Sequence, residues 1–185
     1  MNSNQFNKIL VVKHGSLGDI AFSILAMASI KQFFSNATID LLTEEKYVNF
    51  LSNSNYFNSI FKDNRKGIID SLKVILKINQ NKYDLIIDLQ NSKRTNNYWS
   101  FLKFISEVKV NGSRSNCDIQ YLIPPQGTES PQQGLYNQLK LLGVNEIYQN
   151  VDWLSRDITA INEDKIILMI PGVSKSGKDL SLIHI

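Results

Sequence analysis

The chain has 185 residues, of which 43% are hydrophobic and 20% charged, as is typical of a soluble globular protein. Its net charge of +3, with no dense basic cluster, argues against a nucleic-acid-binding protein. A single cysteine, Cys117, excludes an internal disulfide and fits a reducing compartment. No apolar run approaches the roughly 18 residues of a membrane span, and the N-terminus lacks a signal-peptide pattern. The sequence therefore predicts a cytoplasmic protein.

Apolar runs of strand length alternate with segments of helical periodicity along most of the chain. Strands are predicted at residues 9–13, 37–43, 56–61, 83–89 and 108–111, and helices at 19–34, 66–79, 98–105 and 131–142, with a short helix opening at Glu44 and a polar loop over 112–131. The run at 83–89 is apolar almost throughout, as in strands buried on both faces of a parallel sheet. This alternation predicts an α/β fold with a Rossmann-like, doubly wound parallel sheet.

The most informative segment is the turn after the first strand, residues 13–20. Ligands of open α/β sheets bind at the carboxyl ends of strands, so Asp19, at the start of the following helix, is the first candidate for a functional residue. A simpler interpretation is that Asp19 only caps that helix. Gly15 and Gly18 would let the backbone turn tightly and approach a ligand, and Ser16 could donate a hydrogen bond.

Polar side chains also follow the strand at 83–89. Lys93 and Arg94 would oppose the dipole of the helix that follows, so this pair favours an anionic ligand over a merely solvated helical turn. Gln90 and Thr95 add neutral donors. Lys13 could bind an anion or could be the solvated end of its strand. The neighbouring His14 is interpreted as an exposed bystander.

A second buried strand is predicted at 165–170, followed by a glycine-bearing turn at 171–178. This pattern predicts a domain boundary, with a first domain at 1–155 and the start of a second at 156–179. The turn also matches the phosphate-binding spacing Gly-x-x-x-x-Gly-Lys, ending at Lys178. Asp179 stands where a P-loop needs Ser or Thr for magnesium, so the match is interpreted as coincidental.

Three motifs together resemble glycosyltransferase family 9, the ADP-heptose:lipopolysaccharide heptosyltransferases. They are the segment 13–20, Lys-His-Gly-Ser-Leu-Gly-Asp-Ile; the segment 88–91, Asp-Leu-Gln-Asn, with Arg94 and Thr95; and the segment 170–174, Ile-Pro-Gly-Val-Ser. The resemblance implies the N-terminal half of a GT-B enzyme, in which two Rossmann-like domains face a cleft. It also implies inverting transfer of heptose from ADP-heptose to an inner-core lipopolysaccharide acceptor, at the cytoplasmic face of the inner membrane.

The resemblance also implies roles for individual residues. Asp19 would be the catalytic base. The acceptor would be bound by Lys13, Ser16, Gly18, Gln90, Lys93, Arg94 and Thr95, and the donor by Gly15, Ser174 and Lys178. No metal and no cofactor besides the nucleotide-sugar donor is implied, and a peripheral contact with the membrane is compatible with such an acceptor.

The end of the chain departs from the family pattern. The family continues with a Lys-x-Trp-Pro segment and a whole further domain, whereas residues 180–185 read Leu-Ser-Leu-Ile-His-Ile, a sequence that a common sequencing adapter encodes. We therefore predict a non-native tail at 180–185 and a fragment that is inactive alone. A non-catalytic sugar-binding domain and a P-loop-like nucleotide-binding module remain as alternative functions.

Overall fold

A six-stranded sheet organises residues 5–155, the part of the chain that this computed structural model describes. All strand pairs are parallel, and the order across the sheet is β3-β2-β1-β4-β5-β6. The strands are β1 (Lys8–Val12), β2 (Thr38–Thr43), β3 (Ser59–Lys62), β4 (Leu85–Asp88), β5 (Lys109–Gly112) and β6 (Ile119–Gln120). The helices are α1 (Leu17–Phe33), α2 (Glu45–Ser52), α3 (Ile68–Asn81), α4 (Lys93–Leu102) and α5 (Pro131–Lys140), followed by a 3₁₀ turn at Asp152–Leu154. The predicted α/β parallel sheet is confirmed.

The two central strands are buried on both faces, which explains their nearly continuous apolar sequences. Side chains of β1 alternate between two cores: Ile9 and Val11 pack in the core that contains residues of α1 and α5. Leu10 and Val12 pack in the second core, which contains residues of α3 and α4. The helices therefore cover both faces of the sheet, as the doubly wound pattern requires.

The strand order reverses direction between β1 and β4. The chain builds β2 and β3 on one side of β1, then crosses back to place β4 on its other side. Open α/β sheets bind ligands at such a switch point, outside the carboxyl ends of the strands. The register that pairs Val12 with Asp88 brings the two predicted polar segments to this point.

Serine side chains set the starts of three helices. Ser16, Ser92 and Ser130 are the N-caps of α1, α4 and α5, and each accepts a hydrogen bond from the backbone N–H three residues later. Helix α1 therefore begins at Leu17. The expectation that Asp19 could be the N-cap is wrong, because Asp19 occupies the third helical position.

Two other predicted boundaries are also wrong. Helix α4 begins at Lys93, five residues before the predicted start at residue 98, because Ser92 and Thr95 cap each other there. Strand β6 lies inside the predicted loop 112–131. A two-residue strand is too short to show a period of two, so its sequence carried no signal.

Some expectations fall outside the described residues. The strand at 165–170, the turn at 171–178 and the tail at 180–185 lie there, so the domain boundaries at 155 and 179 stay predictions.

Replacing Ile87 by alanine tests the central core. Ile87 is fully buried in β4, and Ile87→Ala should lower the free energy of unfolding by about 2–5 kcal/mol, because it leaves a cavity between sheet and helices. Denaturant unfolding measures this change. Ile123→Ala at an exposed position is the matched control and should change stability by less than about 0.5 kcal/mol.

Candidate active site

The candidate site lies where the carboxyl ends of β1 and β4 meet. The backbone N–H of His14 donates to Oε1 of Gln90 over 3.0 Å, and Nζ of Lys13 donates to the carbonyl oxygen of Leu89 over 3.1 Å. These two bonds join the turn after β1 to the loop after β4. Two motifs that are 76 residues apart in sequence thus form one surface.

Asp19 lies on this surface with its side chain exposed. Its Oδ2 atom accepts hydrogen bonds from the backbone N–H of Ser16 over 2.7 Å and from the Ser16 hydroxyl over 2.8 Å. These bonds, with the bond from the Asp19 N–H back to Ser16 Oγ, form a capping box. Within residues 5–155, Oδ1 has no hydrogen-bond partner, so one carboxylate oxygen is held and the other is available to a ligand.

The hydrogen bonds to Ser16 keep Asp19 ionised. The backbone and side-chain donors of Ser16 lower the pKa of Asp19, partial burial opposes them, and the charge of the nearby Lys13 ammonium adds a weaker lowering effect. The capping box thus fixes both the orientation and the charge of the carboxylate.

Gly15 has a structural reason to be glycine. Its φ is +115°, and a Cβ atom there would lie 2.6 Å from Oδ2 of Asp19. Two hydrogen bonds hold the backbone of Gly15. Its N–H donates to Oε1 of Glu44, the residue before α2, over 3.1 Å, and its carbonyl accepts from the hydroxyl of Tyr47 in α2 over 2.9 Å. Any side chain at position 15 would therefore displace the carboxylate.

Gly18 differs from Gly15 because it lies in the first turn of α1. Among residues 5–155, the atom nearest to a Cβ placed there would be Ser16 Oγ, at 3.7 Å. The space around Gly18 is therefore open on the side where a side chain would project.

Lys13 is buried, which excludes the interpretation that it is a solvated strand end. Burial lowers the pKa of its ammonium group, and the charges of Asp19 and Asp88 partly oppose that effect. Lys13 is therefore a desolvated amine that interacts electrostatically with the carboxylates of Asp19 and Asp88 at the switch point.

The expectation that His14 is an exposed bystander is wrong. His14 is only 1% exposed, and its Nε2 lies 3.5 Å from Oδ2 of Asp63, which is also buried. Asp63 in turn accepts a hydrogen bond from the Tyr98 hydroxyl over 3.0 Å. The sequence suggested exposure because a histidine beside a glycine turn is usually solvated, whereas here the loop after β3 folds over it.

Burial lowers the pKa of His14 to about 4, and the guanidinium groups of Arg65 and Arg94 act in the same direction. The carboxylates of Asp63 and Glu44 oppose this shift without cancelling it. His14 is therefore neutral at physiological pH and leaves the polar cluster without an additional cation.

The four predicted residues after β4 separate into different environments. Gln90 braces the turn after β1, and Thr95 is buried in the capping box of α4. Arg94 turns toward Asp63, with NH2 3.7 Å from Oδ1, and its Nε donates to the Tyr98 hydroxyl. Lys93 is exposed. Lys93 is thus the cation of this group that is most accessible to a ligand, while Arg94 already has a carboxylate partner.

Asp88 shapes the loop that carries Gln90. It is completely buried at the end of β4, and its Oδ1 accepts the backbone N–H groups of Gln90 and Asn91, each over 3.0 Å. Its Oδ2 accepts from the Trp99 indole over 2.7 Å. Burial raises the pKa of Asp88, although these donors favour the ionised form. Asp88 is therefore a structural element of the loop.

Sequence reasoning missed Glu44, Tyr47 and Asp63 as parts of the site. Glu44 was assigned only to the start of a helix, and Tyr47 and Asp63 were not considered. Their positions in the sequence could have revealed two of them. Glu44 and Asp63 directly follow the strands β2 and β3, so they share the carboxyl edge of the sheet with Asp19. The predicted donor-binding residues Ser174 and Lys178 lie outside the described residues.

A curated relative matches part of the chain. Lipopolysaccharide heptosyltransferase 1 of Campylobacter coli is 32% identical over 87 residues, which are 45% of this chain and 25% of that protein. The resemblance to glycosyltransferase family 9 is confirmed. The chain spans only a quarter of this relative's length. No protein-family model matches the chain.

Solved structures of family 9 proteins share the fold. A glycosyltransferase family 9 protein from Veillonella parvula superimposes with a TM-score of 0.67 at 19% identity, covering 81% of this chain and 44% of that one. E. coli heptosyltransferase WaaC, solved with ADP-2-deoxy-2-fluoro heptose, gives a TM-score of 0.56 at 14% identity over 80% of this chain and 52% of its own. The described residues thus have the fold of one half of a GT-B-like glycosyltransferase.

The described part of the chain contains no helix with the length and apolarity needed to cross a bilayer.

Ser16→Ala should raise the pKa of Asp19, because it removes the hydroxyl that donates to the Asp19 carboxylate. A ¹³C NMR titration of the Asp19 carboxyl carbon measures the shift directly. Ser92→Ala is the matched control, since it removes the equivalent N-cap of α4 without touching Asp19. Equal Asp19 pKa values in wild type and Ser16→Ala would contradict this account.

His14→Gln should flatten the acid dependence of stability. The folded-state pKa of about 4 lies below the ordinary value of 6.5, so the stability that neutral His14 contributes is complete above pH 6.5 and is lost as pH falls toward 4. Unfolding free energies from denaturant titrations at several pH values between 7 and 4 measure this. The wild type should lose more stability than His14→Gln across that window, and parallel curves would show that His14 titrates normally.

Proposed function

We propose that this chain is the acceptor-binding half of an inverting glycosyltransferase, which transfers heptose from ADP-heptose to an inner-core lipopolysaccharide acceptor. The observation that carries the proposal is the Asp19 carboxylate, which is exposed at the switch point with one oxygen held and the other open. Two of the relatives named above support the choice of substrates: one is a lipopolysaccharide heptosyltransferase, and the other is a heptosyltransferase that was solved with ADP-2-deoxy-2-fluoro heptose.

In the proposed step, the acceptor hydroxyl oxygen attacks the anomeric carbon of the heptose from the face opposite the phosphate. A new carbon–oxygen bond forms as the bond from the anomeric carbon to the diphosphate oxygen breaks, and ADP leaves with that electron pair. Because the attack comes from the face opposite the leaving group, the configuration is inverted. Oδ1 of Asp19 takes the hydroxyl proton, so charge is balanced without a cofactor.

The low pKa of Asp19 sets the timing of the proton transfer. A carboxylate with a depressed pKa is a weak base toward a neutral hydroxyl, but the attacking oxygen becomes strongly acidic as its bond to carbon forms. The proton therefore moves late in the step. Glu44 and Tyr47, by clamping Gly15, keep the carboxylate in position for this transfer.

The acceptor is proposed to lie across the turn after β1 and the loop after β4. Exposed Lys93 is suited to a phosphate or sugar carboxylate, and the buried Lys13 amine lies beside Asp19, where it can orient an acidic group. The proposed acceptor contacts are Lys13, Ser16, Gly18, Gln90 and Lys93. Arg94, which is paired with Asp63, and Thr95, which is buried in the capping box of α4, are left out of this set because neither side chain is free to bind a ligand. Gly15, Ser174 and Lys178 are the proposed donor contacts.

We propose that these 185 residues do not catalyse transfer by themselves. They correspond to about half of the chains of the solved family 9 structures, so the proposed enzyme needs a further donor-binding half to position both substrates. We propose that the reaction takes place at the cytoplasmic face of the inner membrane, where a lipopolysaccharide acceptor would be anchored.

Asp19→Asn tests the proposed base in a chain that includes the donor-binding half. It should lower kcat by about 10²–10⁴-fold, because an amide keeps the hydrogen bonds to Ser16 but cannot take a proton. The KM for the acceptor should change little. ADP release with ADP-heptose and a deacylated inner-core acceptor measures the rate.

Glu107→Gln is the matched control for this experiment. Glu107 is an exposed acid just before β5, at the opposite edge of the sheet, so its loss should leave kcat unchanged. Full activity of Asp19→Asn would overturn the assignment of the base. Acceptor binding without transfer in the wild-type chain would favour the non-catalytic sugar-binding function.

A further inference from the structure

Helix α3 exposes large apolar side chains at its surface. Ile68 is 80% exposed, Ile69 70%, Leu76 52% and Leu72 42%. Isolated exposed apolar residues are common in soluble proteins, but four on one helix of 14 residues form a contiguous patch that needs a partner.

The helix periodicity places these side chains on one face. Ile68, Leu72 and Leu76 are four residues apart and form one ridge along the helix, with Ile69 in the adjacent ridge. The buried face of the same helix is made by Val74, Ile75 and Ile78, which pack against the sheet in the second core. Helix α3 therefore has an apolar surface wider than the face that packs on the sheet, and the described residues cover only part of it.

Positive charge surrounds this exposed apolar face. The segment from Lys62 to Lys82 contains six basic residues and two acidic ones, a local net charge of +4 against +3 for the whole chain. Lys73 and Lys77 continue the ridge that begins at Ile69, and both side chains are exposed. Two of the six cations are neutralised from α2 and its N-cap, since Lys62 pairs with Glu45 and Arg65 with Glu44. Among the described residues of this segment, the cations without a carboxylate partner are Lys66, Lys73, Lys77 and Lys82.

The N-terminal end of α3 adjoins the candidate active site. Arg65, just before the helix, donates from NH1 to Oε1 of Glu44 over 3.1 Å, and the same Glu44 oxygen holds the Gly15 N–H. A surface that binds the α3 face would therefore lie close to Asp19.

We propose that the α3 face, defined as Ile68, Ile69, Leu72 and Leu76 with Lys66, Lys73 and Lys77, docks on a bilayer surface rich in anionic phospholipids. The helix lies in the plane of the interface, its isoleucine and leucine side chains enter the acyl boundary, and its cations pair with lipid phosphates. This docking does not depend on transferase activity.

Charge separates this face from another exposed apolar site. Leu122 and Ile123 are 75% and 64% exposed, but no lysine or arginine occurs between Arg114 and Lys140. A bilayer with anionic lipids would attract the α3 face and not the Leu122–Ile123 segment.

Vesicle co-sedimentation of the 185-residue chain tests the proposal. The chain should bind vesicles of phosphatidylglycerol and phosphatidylethanolamine and should bind pure phosphatidylcholine vesicles at least tenfold more weakly. Rising salt should weaken binding, because it screens the attraction between the cations and the anionic lipids.

Substitutions on the α3 face should reduce binding in two separable ways. Ile68→Ser with Ile69→Ser should lower the partition coefficient at least about tenfold, since two large apolar side chains no longer enter the bilayer. Lys66→Gln and Lys73→Gln should each lower it by about fivefold on anionic vesicles, with no effect on phosphatidylcholine. Leu122→Ser with Ile123→Ser, and Lys140→Gln, are the matched controls and should bind as the wild type does.

The same variants identify other occupants of this face. All substituted positions are exposed, and circular dichroism spectra that match the wild type verify folding. Vesicle binding that survives Ile68→Ser with Ile69→Ser, or that ignores lipid charge, would overturn the proposal. Self-association in sedimentation velocity that these substitutions abolish, without vesicle binding, would assign the face to a second copy of the chain and would also overturn it.

Discussion

The parallel pairing of β1 with β4 is the interaction on which the candidate site depends. It brings the carboxyl ends of two buried strands side by side, so that the turn carrying Asp19 meets the loop carrying Gln90. The chain reaches this pairing only after it has built β2 and β3 on the other side of β1. The crossover therefore forms one surface from distant segments, and the fully buried Asp88 holds the loop after β4 in shape.

On that surface, successive contacts fix the Asp19 carboxylate. Ser16 holds Asp19 directly, Gly15 leaves room for it, and Glu44 and Tyr47 hold Gly15. A proposed base that must accept a proton late in a displacement gains from such restraint, because its orientation is set before the acceptor arrives. The Asp63 cluster lies behind this layer and connects the turn to α4 and to the loop before α3.

Arg65 connects the candidate active site to the proposed membrane-binding face. It donates a hydrogen bond to Glu44, which holds Gly15 in the site, and it precedes the exposed apolar residues of α3. The N-terminal end of a docked α3 would therefore lie near the turn that carries Asp19.

The sequence alone determined the α/β class, the central strands and the importance of the turn at residues 13–19, because continuous apolar runs and a glycine-bearing turn are local signals. It did not determine that His14 is buried, that Arg94 faces Asp63, or that Glu44 and Tyr47 hold Gly15. Those facts depend on side chains from β2, β3, α2 and α4 that approach the turn only when the sheet forms. Helix starts were misplaced for a related reason: a serine cap is decided by hydrogen-bond geometry, whereas the sequence shows only the apolar period. Burial and partnership of polar groups were thus decided by the tertiary structure.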